Sequence, residues 1–422
     1  MEPLKAERIL IVEGVMDEAR TAARAERMIE ALNPDSIEHV DDARLCEIME
    51  DPEIVGGGRH GMYAEIDPVV IFNRERLDET EEEREARIDA NPCLKRGGYP
   101  LGGYDSFHWR HTGTAKHRAE TGWVCTPAWQ LHTIWGCHYR CSYCSLGHYV
   151  NILMNMEQFV EALPDLIAEH APNQGLFQYD NGTDTVSFEP EYGGAKLMID
   201  FFAGREDQFL ELYVGKSANV DFLLDYDHRG HTVCCWSLSS RTQASEFEWR
   251  SAPMEERIEA ARRCEEAGYH VRHRFSPIIP VRNWREEITE MIELLFANCN
   301  PDVITFETLR FMKLEQIEEA FDVELLDPEF VEVMKTDDRE DFPRGDEIPD
   351  EFRHRIYRHI FDELERVSPE TPYAFCREQR STWECFAEDF DRHNQHPDRY
   401  VCNCGAYSQP GHELLRTTQA IG

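Results

Sequence analysis

Between residues 130 and 320 short apolar runs alternate with longer segments of helical spacing, and this alternation restricts the fold more than any other feature of the chain. GLFQY (175–179), FLELYVGKS (209–217), TVCCWSLS (232–239), YHVRHRFSPIIP (269–280) and VITFETLR (303–310) have the length and the β-branched or aromatic content of strands. NILMNMEQFVEALPDLIAEHA (151–171), GGAKLMIDFFAG (193–204), ANVDFLLDYDH (218–228), PMEERIEAARRCEEAG (253–268) and WREEITEMIELLFANC (284–299) read as helices. With LHTIWG (131–136) as the first strand, about six such units run in series. Strands separated by helices of this length build a parallel sheet covered by helices. A full eightfold barrel takes roughly 250 residues. The expected fold is therefore α/β, an open or partial (β/α)6 barrel over residues 126–320. Ligands of such sheets sit at the carboxyl ends of the strands.

The flanks differ. ILIV (9–12) reads as a strand and the segment after it as a helix ended by Asn33-Pro34. The acidic run at 78–89 is expected to be a solvated helix face. Residues 96–122, rich in Gly, His, Arg and aromatics, are expected to be irregular. Residues 1–125 thus form an N-terminal α/β region with a linker, and 321–422 a mostly helical region ending in a group of cysteines.

The stretch 135-WGCHYRCSYCSL-146 places Cys137, Cys141 and Cys144 at C-x3-C-x2-C spacing, with Tyr143 before the last. A structural zinc site takes four protein ligands, and an ordinary cubane cluster four cysteines. Three thiolates leave one iron of a [4Fe-4S] cluster open to chelate a small molecule. The alternative is zinc, completed by His132, His138 or His148. The spacing, the aromatic and the place at the start of a β/α series are the signature of radical S-adenosylmethionine (SAM) enzymes, which this stretch resembles. That resemblance implies a [4Fe-4S] cluster on the three cysteines and SAM on its open iron. It further implies reductive cleavage of SAM to a 5′-deoxyadenosyl radical, fed by a reductant such as ferredoxin or flavodoxin.

GKSANVDFLLD (215–225), CCWSLSS (234–240), APMEERIEAARRCEEAGYHVRHRFSPIIPVRNW (252–284) and DVITFETLRF (302–311) resemble the spore photoproduct lyase family more closely. Through that resemblance Lys216 is expected to reach SAM, Ser237 matches a serine of the next strand, and Ser239 stands where the family has Asn. Asp184 lies where many radical SAM proteins bind the SAM amino group. The family's cysteine that returns a hydrogen atom to the product has no counterpart in 178-QYDNGTDTVSF-188, and its tyrosine after the last cluster cysteine is Ser145 here. Cys234 or Cys235 is the candidate replacement, because neighbours on a strand face opposite sides and one of them must face the site. The implied substrate is a DNA photolesion, with RNA, a peptide or a small metabolite as alternatives, and a zinc-stabilised binding protein as the non-enzymatic one.

Cys376, Cys385, Cys402 and Cys404 gather near the end of the sequence and are candidates for a second iron–sulfur cluster or a zinc ion. The start, MEPLKAERILIVEG, reads as a first strand and not a signal peptide, and no run approaches the length of a membrane span. A cytoplasmic location follows as an expectation, and with it fourteen cysteines that are free thiols, metal ligands or catalytic groups rather than disulfides. The formal net charge of −38, from 82 acidic against 44 basic residues, points to the strongly hydrated surface of a halophilic protein and away from nonspecific binding to nucleic acid.

Overall fold

The computed structural model describes residues 5–51, 68–98, 100–146 and 149–415. Two main sheets organise them, with strands numbered along the chain. The first sheet holds β1 (Arg8–Val12), β2 (Ser36–Val40), β3 (Val69–Asn73), β7 (Ile134–Trp135) and β9 (Tyr149–Leu153), in the order β2-β1-β3-β9-β7. The second holds β4 (Phe107–Arg110), β6 (Ala128–Leu131), β10 (Leu176–Tyr179), β11 (Phe209–Gly215), β12 (Thr232–Ser237), β14 (His270–Ile278), β15 (Ile304–Thr308) and β16 (Tyr373–Phe375). From β6 to β16 neighbours in space follow sequence order and pair in parallel, as repeated crossovers of one hand produce. Only β4, at the edge, is antiparallel.

The helices Met156–His170, Gly194–Ala203, Met254–Glu266 and Trp284–Asn298 fall where apolar spacing places them. The helix Met254–Glu266 is typical: Met254, Ile258, Ala261 and Cys264 form its buried stripe, while Glu255, Glu259 and Arg262 face outward. The acidic run becomes the helix Glu81–Ala90, closed by a reciprocal capping box between Thr80 and Glu83 and burying no side chain.

Several expectations change. Residues 218–228 form only a short turn at Asp221–Leu223, because the Asn219 amide donates to the carbonyls of Val186 and Glu189, both at 2.8 Å, and holds the segment as a loop. The segment expected to be helical from 151 opens with β9, which pairs with β3, and its helix starts at Met156. Within 131–136, Leu131 ends β6 and the chain leaves the second sheet. There the Asp180 carboxylate accepts from Thr133 N (2.7 Å), Ile134 N (3.2 Å) and the Thr133 hydroxyl (2.8 Å), steering Ile134 and Trp135 into the first sheet. The region 96–122 is less irregular than its composition implies, since Phe107 of β4 stacks on Trp129 of β6 at 4.8 Å, Trp109 tilts against the same ring at 5.4 Å, and the helix Ala115–Thr121 follows. Cys46 and Cys93 form a disulfide, so they depart from the expectation of free thiols.

Residues beyond 320 are tied to the second sheet through β16. A turn around Cys402–Ser408 is gripped by Arg272 of β14, which donates to Asp302 at 2.7 and 3.0 Å, to the Asn403 carbonyl at 2.9 Å and to the Ser408 carbonyl at 2.7 Å. Among the described residues no helix is long and apolar enough to cross a membrane.

Candidate active site

The cysteine stretch is the connection of a hairpin. Strands β7 and β9 pair antiparallel, Ile134 with Ile152 and Trp135 with Asn151, and the chain between them carries the three thiols. Gly136 opens this loop at φ +91°, and any side chain there would meet the Tyr149 carbonyl oxygen, 1.8 Å from an ideal Cβ. Inside the loop, β8 (Arg140–Cys141) pairs with β13 (Glu248–Trp249), so Cys141 lies opposite Glu248.

The Tyr139 amide donates to Cys137 Sγ and the Leu146 amide to Cys144 Sγ, both at 3.4 Å. Burial pushes all three thiols up. Asp184 and the other two cysteines add to this at Cys137, and Cys141 reaches about 12 although Lys216 opposes the shift. Largely enclosed thiols that share surroundings, two of them receiving amide hydrogens, suit an iron–sulfur cluster, whose irons supply the missing positive charge. Each thiolate of a cubane binds a different iron, so the ligands need not converge. Among the described residues no three His, Cys, Asp or Glu side chains converge to hold a single ion. His132 stacks on Trp135 at 4.1 Å, and His138 shares a hydrogen bond with Ser187 at 3.2 Å; burial holds both rings neutral. His148 lies outside the described residues.

Opposite the loop, the carboxyl ends of β11 and β12 supply Lys216, Ser237 and Ser239. Lys216 Nζ lies 3.9 Å from Glu248 and 5.7 Å from the centre of the Tyr143 ring. Glu248 is the hub. Its carboxylate accepts from Tyr143 OH and Ser239 Oγ, both at 2.7 Å, from Gln243 at 3.0 Å and from Arg257 at 2.7 Å. Burial alone would raise its pKa; the charges of Lys216 and Arg257, with the Ser239 and Tyr143 hydrogen bonds, instead hold it at about 2. The aromatic of the cysteine motif is thereby tied to the lysine and to a serine of the strand ends. Glu248, Arg257 and Gln243 carry no sequence signal of their own; their roles arise from the β8–β13 pairing.

Asp184 Oδ2 accepts from the Lys216 amide at 2.7 Å, while its other oxygen, also buried, has no hydrogen-bond partner among the described residues. Burial raises this carboxyl to about 7. Gly215, at φ +70°, makes the contact possible: an ideal Cβ there would lie 2.6 Å from Asp184 Oδ2. Gly215→Ala is therefore expected to cost about 1–3 kcal/mol through backbone strain and a displaced carboxylate. A urea unfolding curve checks this, and a change within 0.5 kcal/mol would contradict it.

Ser237 shares a 2.7 Å hydrogen bond with the Tyr213 hydroxyl, and Arg274 lies over the Tyr213 ring at 5.5 Å. The neighbouring cysteines part company. Cys234 packs against Cys264 of the helix Met254–Glu266, on the side away from Ser237. Cys235 faces the Ser237 side and accepts from Asn403 Nδ2 at 3.1 Å. Of the late cysteines, Cys385 is exposed. Cys376, Cys402 and Cys404 approach one another, and Cys125 joins them from the segment just before β6, a neighbour that sequence distance conceals.

Residues 127–321 match the family model for spore photoproduct lyase. Through this segment the chain is similar to the spore photoproduct lyase family. The spore photoproduct lyase of Bacillus subtilis strain 168 is 31% identical over 189 residues, 42% of this chain and 55% of that protein. The Clostridium acetobutylicum protein is 26% identical over 194 residues, covering 44% and 57%. The chain thus spans about half the length of the curated relatives it matches. A solved spore photoproduct lyase complexed with dinucleoside spore photoproduct superimposes with a TM-score of 0.62 at 17% identity, over 89% of this chain and all of that one. A variant with bound AdoMet and the same dinucleoside gives 0.61 at 16% identity. The shared architecture thus extends well past the segment of sequence similarity.

Proposed function

We propose that this protein is a radical SAM enzyme of the spore photoproduct lyase type and that its substrate is a photolesion of DNA. The observation that carries the reading is the union, at the strand ends, of three thiols on one loop, Cys141 buried and Cys137 and Cys144 half-buried, with the Lys216–Glu248–Arg257 network. Cys137, Cys141 and Cys144 would hold a [4Fe-4S] cluster, and Lys216, Asp184, Ser237 and Ser239 would contact SAM. With both bound, and an electron from a ferredoxin- or flavodoxin-class donor, that pair supplies a 5′-deoxyadenosyl radical able to abstract hydrogen from a substrate.

The protein's own contribution is positional. Glu248 keeps Lys216 charged and aims its ammonium across the Tyr143 ring, where it can meet a carboxylate. The unpartnered oxygen of Asp184 is available to an ammonium donor. Of the two candidates for returning a hydrogen atom, Cys235 is favoured over Cys234 because it shares the Ser237 side. The parallel strands from β6 to β15 are read as the six-unit partial barrel, with 1–125 and 321–422 as its flanks. The DNA lesion is inferred from the dinucleoside spore photoproduct bound by the structural relative. RNA, peptide or small-metabolite substrates are the competing reading.

Anaerobically reconstituted protein in high salt, given dithionite and SAM, is expected to release 5′-deoxyadenosine, and Cys141→Ala to release none. Ultraviolet-irradiated DNA should increase the yield over unirradiated DNA. Protein with a full iron and sulfide complement that never cleaves SAM, with or without irradiated DNA, would sink the reading.

A further inference from the structure

Away from the strand ends that carry Lys216, a turn brings Cys402 and Cys404 to the amino-terminal side of the second sheet. The amides of Gly175 and Leu176, where β10 begins, donate to the Ala406 carbonyl at 2.9 and 3.2 Å. The turn is closely built. Ser408 Oγ accepts from the Cys402 amide at 3.1 Å, and an ideal Cβ on Gly405 would lie 2.5 Å from Ser408 Oγ and 3.1 Å from Cys402 Sγ. Between the two thiols, Asn403 is fixed by Nδ2 contacts to Cys235 Sγ (3.1 Å) and the His273 carbonyl (3.0 Å).

Arg110 decides what the turn can do. Its Nη1 donates to Cys404 Sγ at 3.1 Å, while Nη2 is pinned by the carbonyls of Cys404 (3.1 Å) and Thr126 (2.8 Å). In a chain with 82 acidic residues, no carboxylate among the described residues forms an ion pair with this arginine. The groups beside it that hold its pKa up are the thiols of Cys404, Cys125 and Cys402. A part-buried guanidinium 3.1 Å from a sulfur stabilises negative charge on it, so the contact favours a thiolate at Cys404.

We propose that Cys402 and Cys404 form a redox-active dithiol, with Cys404 as the attacking sulfur and Arg110 as its counter-ion, that exchanges with disulfides of low-molecular-weight thiols. A hydrogen bond from Cys402 and the charges of Arg110 and Arg274 pull the Cys404 thiol down, while Cys402 is pushed up. Cys404 is half-buried and so within reach of a small disulfide. Its thiolate attacks one sulfur of RSSR, forming a mixed disulfide and releasing RS⁻. The Cys402 sulfur then attacks Cys404, closing the Cys402–Cys404 bond and releasing the second RS⁻. Cys402 gives its proton to one leaving thiolate and water protonates the other. The protein pair is oxidised by two electrons and RSSR reduced to two RSH. The proposal does not depend on radical chemistry.

The reconstituted protein, kept anaerobic, is incubated with oxidised glutathione, quenched in acid, alkylated and digested with trypsin. Peptide 400–416 contains Cys402 and Cys404 and no other cysteine. It is expected to appear unalkylated and two hydrogens lighter, with two glutathiones released per chain. Cys402→Ser should stop at one glutathione on Cys404, and Arg110→Gln in that background should slow the adduct about tenfold. Two alkylated thiols in wild-type peptide 400–416 after incubation would overturn the proposal. So would zinc or iron beyond one cluster that is lost in Cys404→Ser, since the thiols would then be metal ligands.

Discussion

Glu248→Ala is expected to destabilise the protein by about 3–5 kcal/mol, because it leaves a buried cation without its partner. Arg257 is fully buried and donates to Glu248 at 2.7 Å; without the carboxylate its remaining bonds go to the Ala252 and Ser237 carbonyls and to the Ser251 and Ser239 hydroxyls. The Tyr143 and Ser239 hydroxyls lose their acceptor as well. Chemical unfolding with and without Arg257→Met separates the contributions. The double variant should be less damaged than the sum of the singles, since each single leaves a charge stranded that the pair removes. A single-variant loss below about 1 kcal/mol, the range of exposed pairs, would mean that the hub is solvated.

Arg272→Met is the second large effect. Asp302 would keep its burial and lose both guanidinium bonds, and the carbonyls of Asn403 and Ser408 would lose theirs. The expected cost is again about 3–5 kcal/mol. It should be local as well as global, because the arginine is a clasp on the 402–408 turn. Limited trypsin digestion at Arg399 is the direct readout. If opening of the turn is fast relative to cleavage, about 3 kcal/mol corresponds to cleavage on the order of a hundredfold faster. Unchanged cleavage alongside a lowered global stability would show that other contacts hold the turn.

The parts of the fold visible in the sequence are those fixed by local pattern. Strands β10, β11, β12, β14 and β15 are short apolar runs, and the helices between them show a one-sided stripe. Strands β4 and β9 are hidden because each is defined by pairing across sheets or loops that no local pattern shows, and LHTIWG reads as one strand although it spans the end of β6 and the whole of β7, which lie in different sheets. The site divides in the same way. The cysteine spacing and Lys216 could be read directly, whereas Glu248 acquires meaning only when β13 pairs beside Cys141. Alternation along β12 required one of Cys234 and Cys235 to face the site, but the choice between them came from Cys264 and Asn403, supplied by other elements. Nearness in sequence grouped Cys385 with the late cysteines, and tertiary packing put Cys125 in that company instead.

The hairpin origin of the cysteine loop bears on how this protein could be recombined. Both strands that frame the loop belong to the first sheet, where β9 rests on β3 and β3 on β1. The lysine and serines that face the loop belong to the second. An exchange that swapped the β/α core while leaving residues 5–73 behind would strip the loop of its scaffold. A boundary drawn between the two sheets would cut through the candidate site.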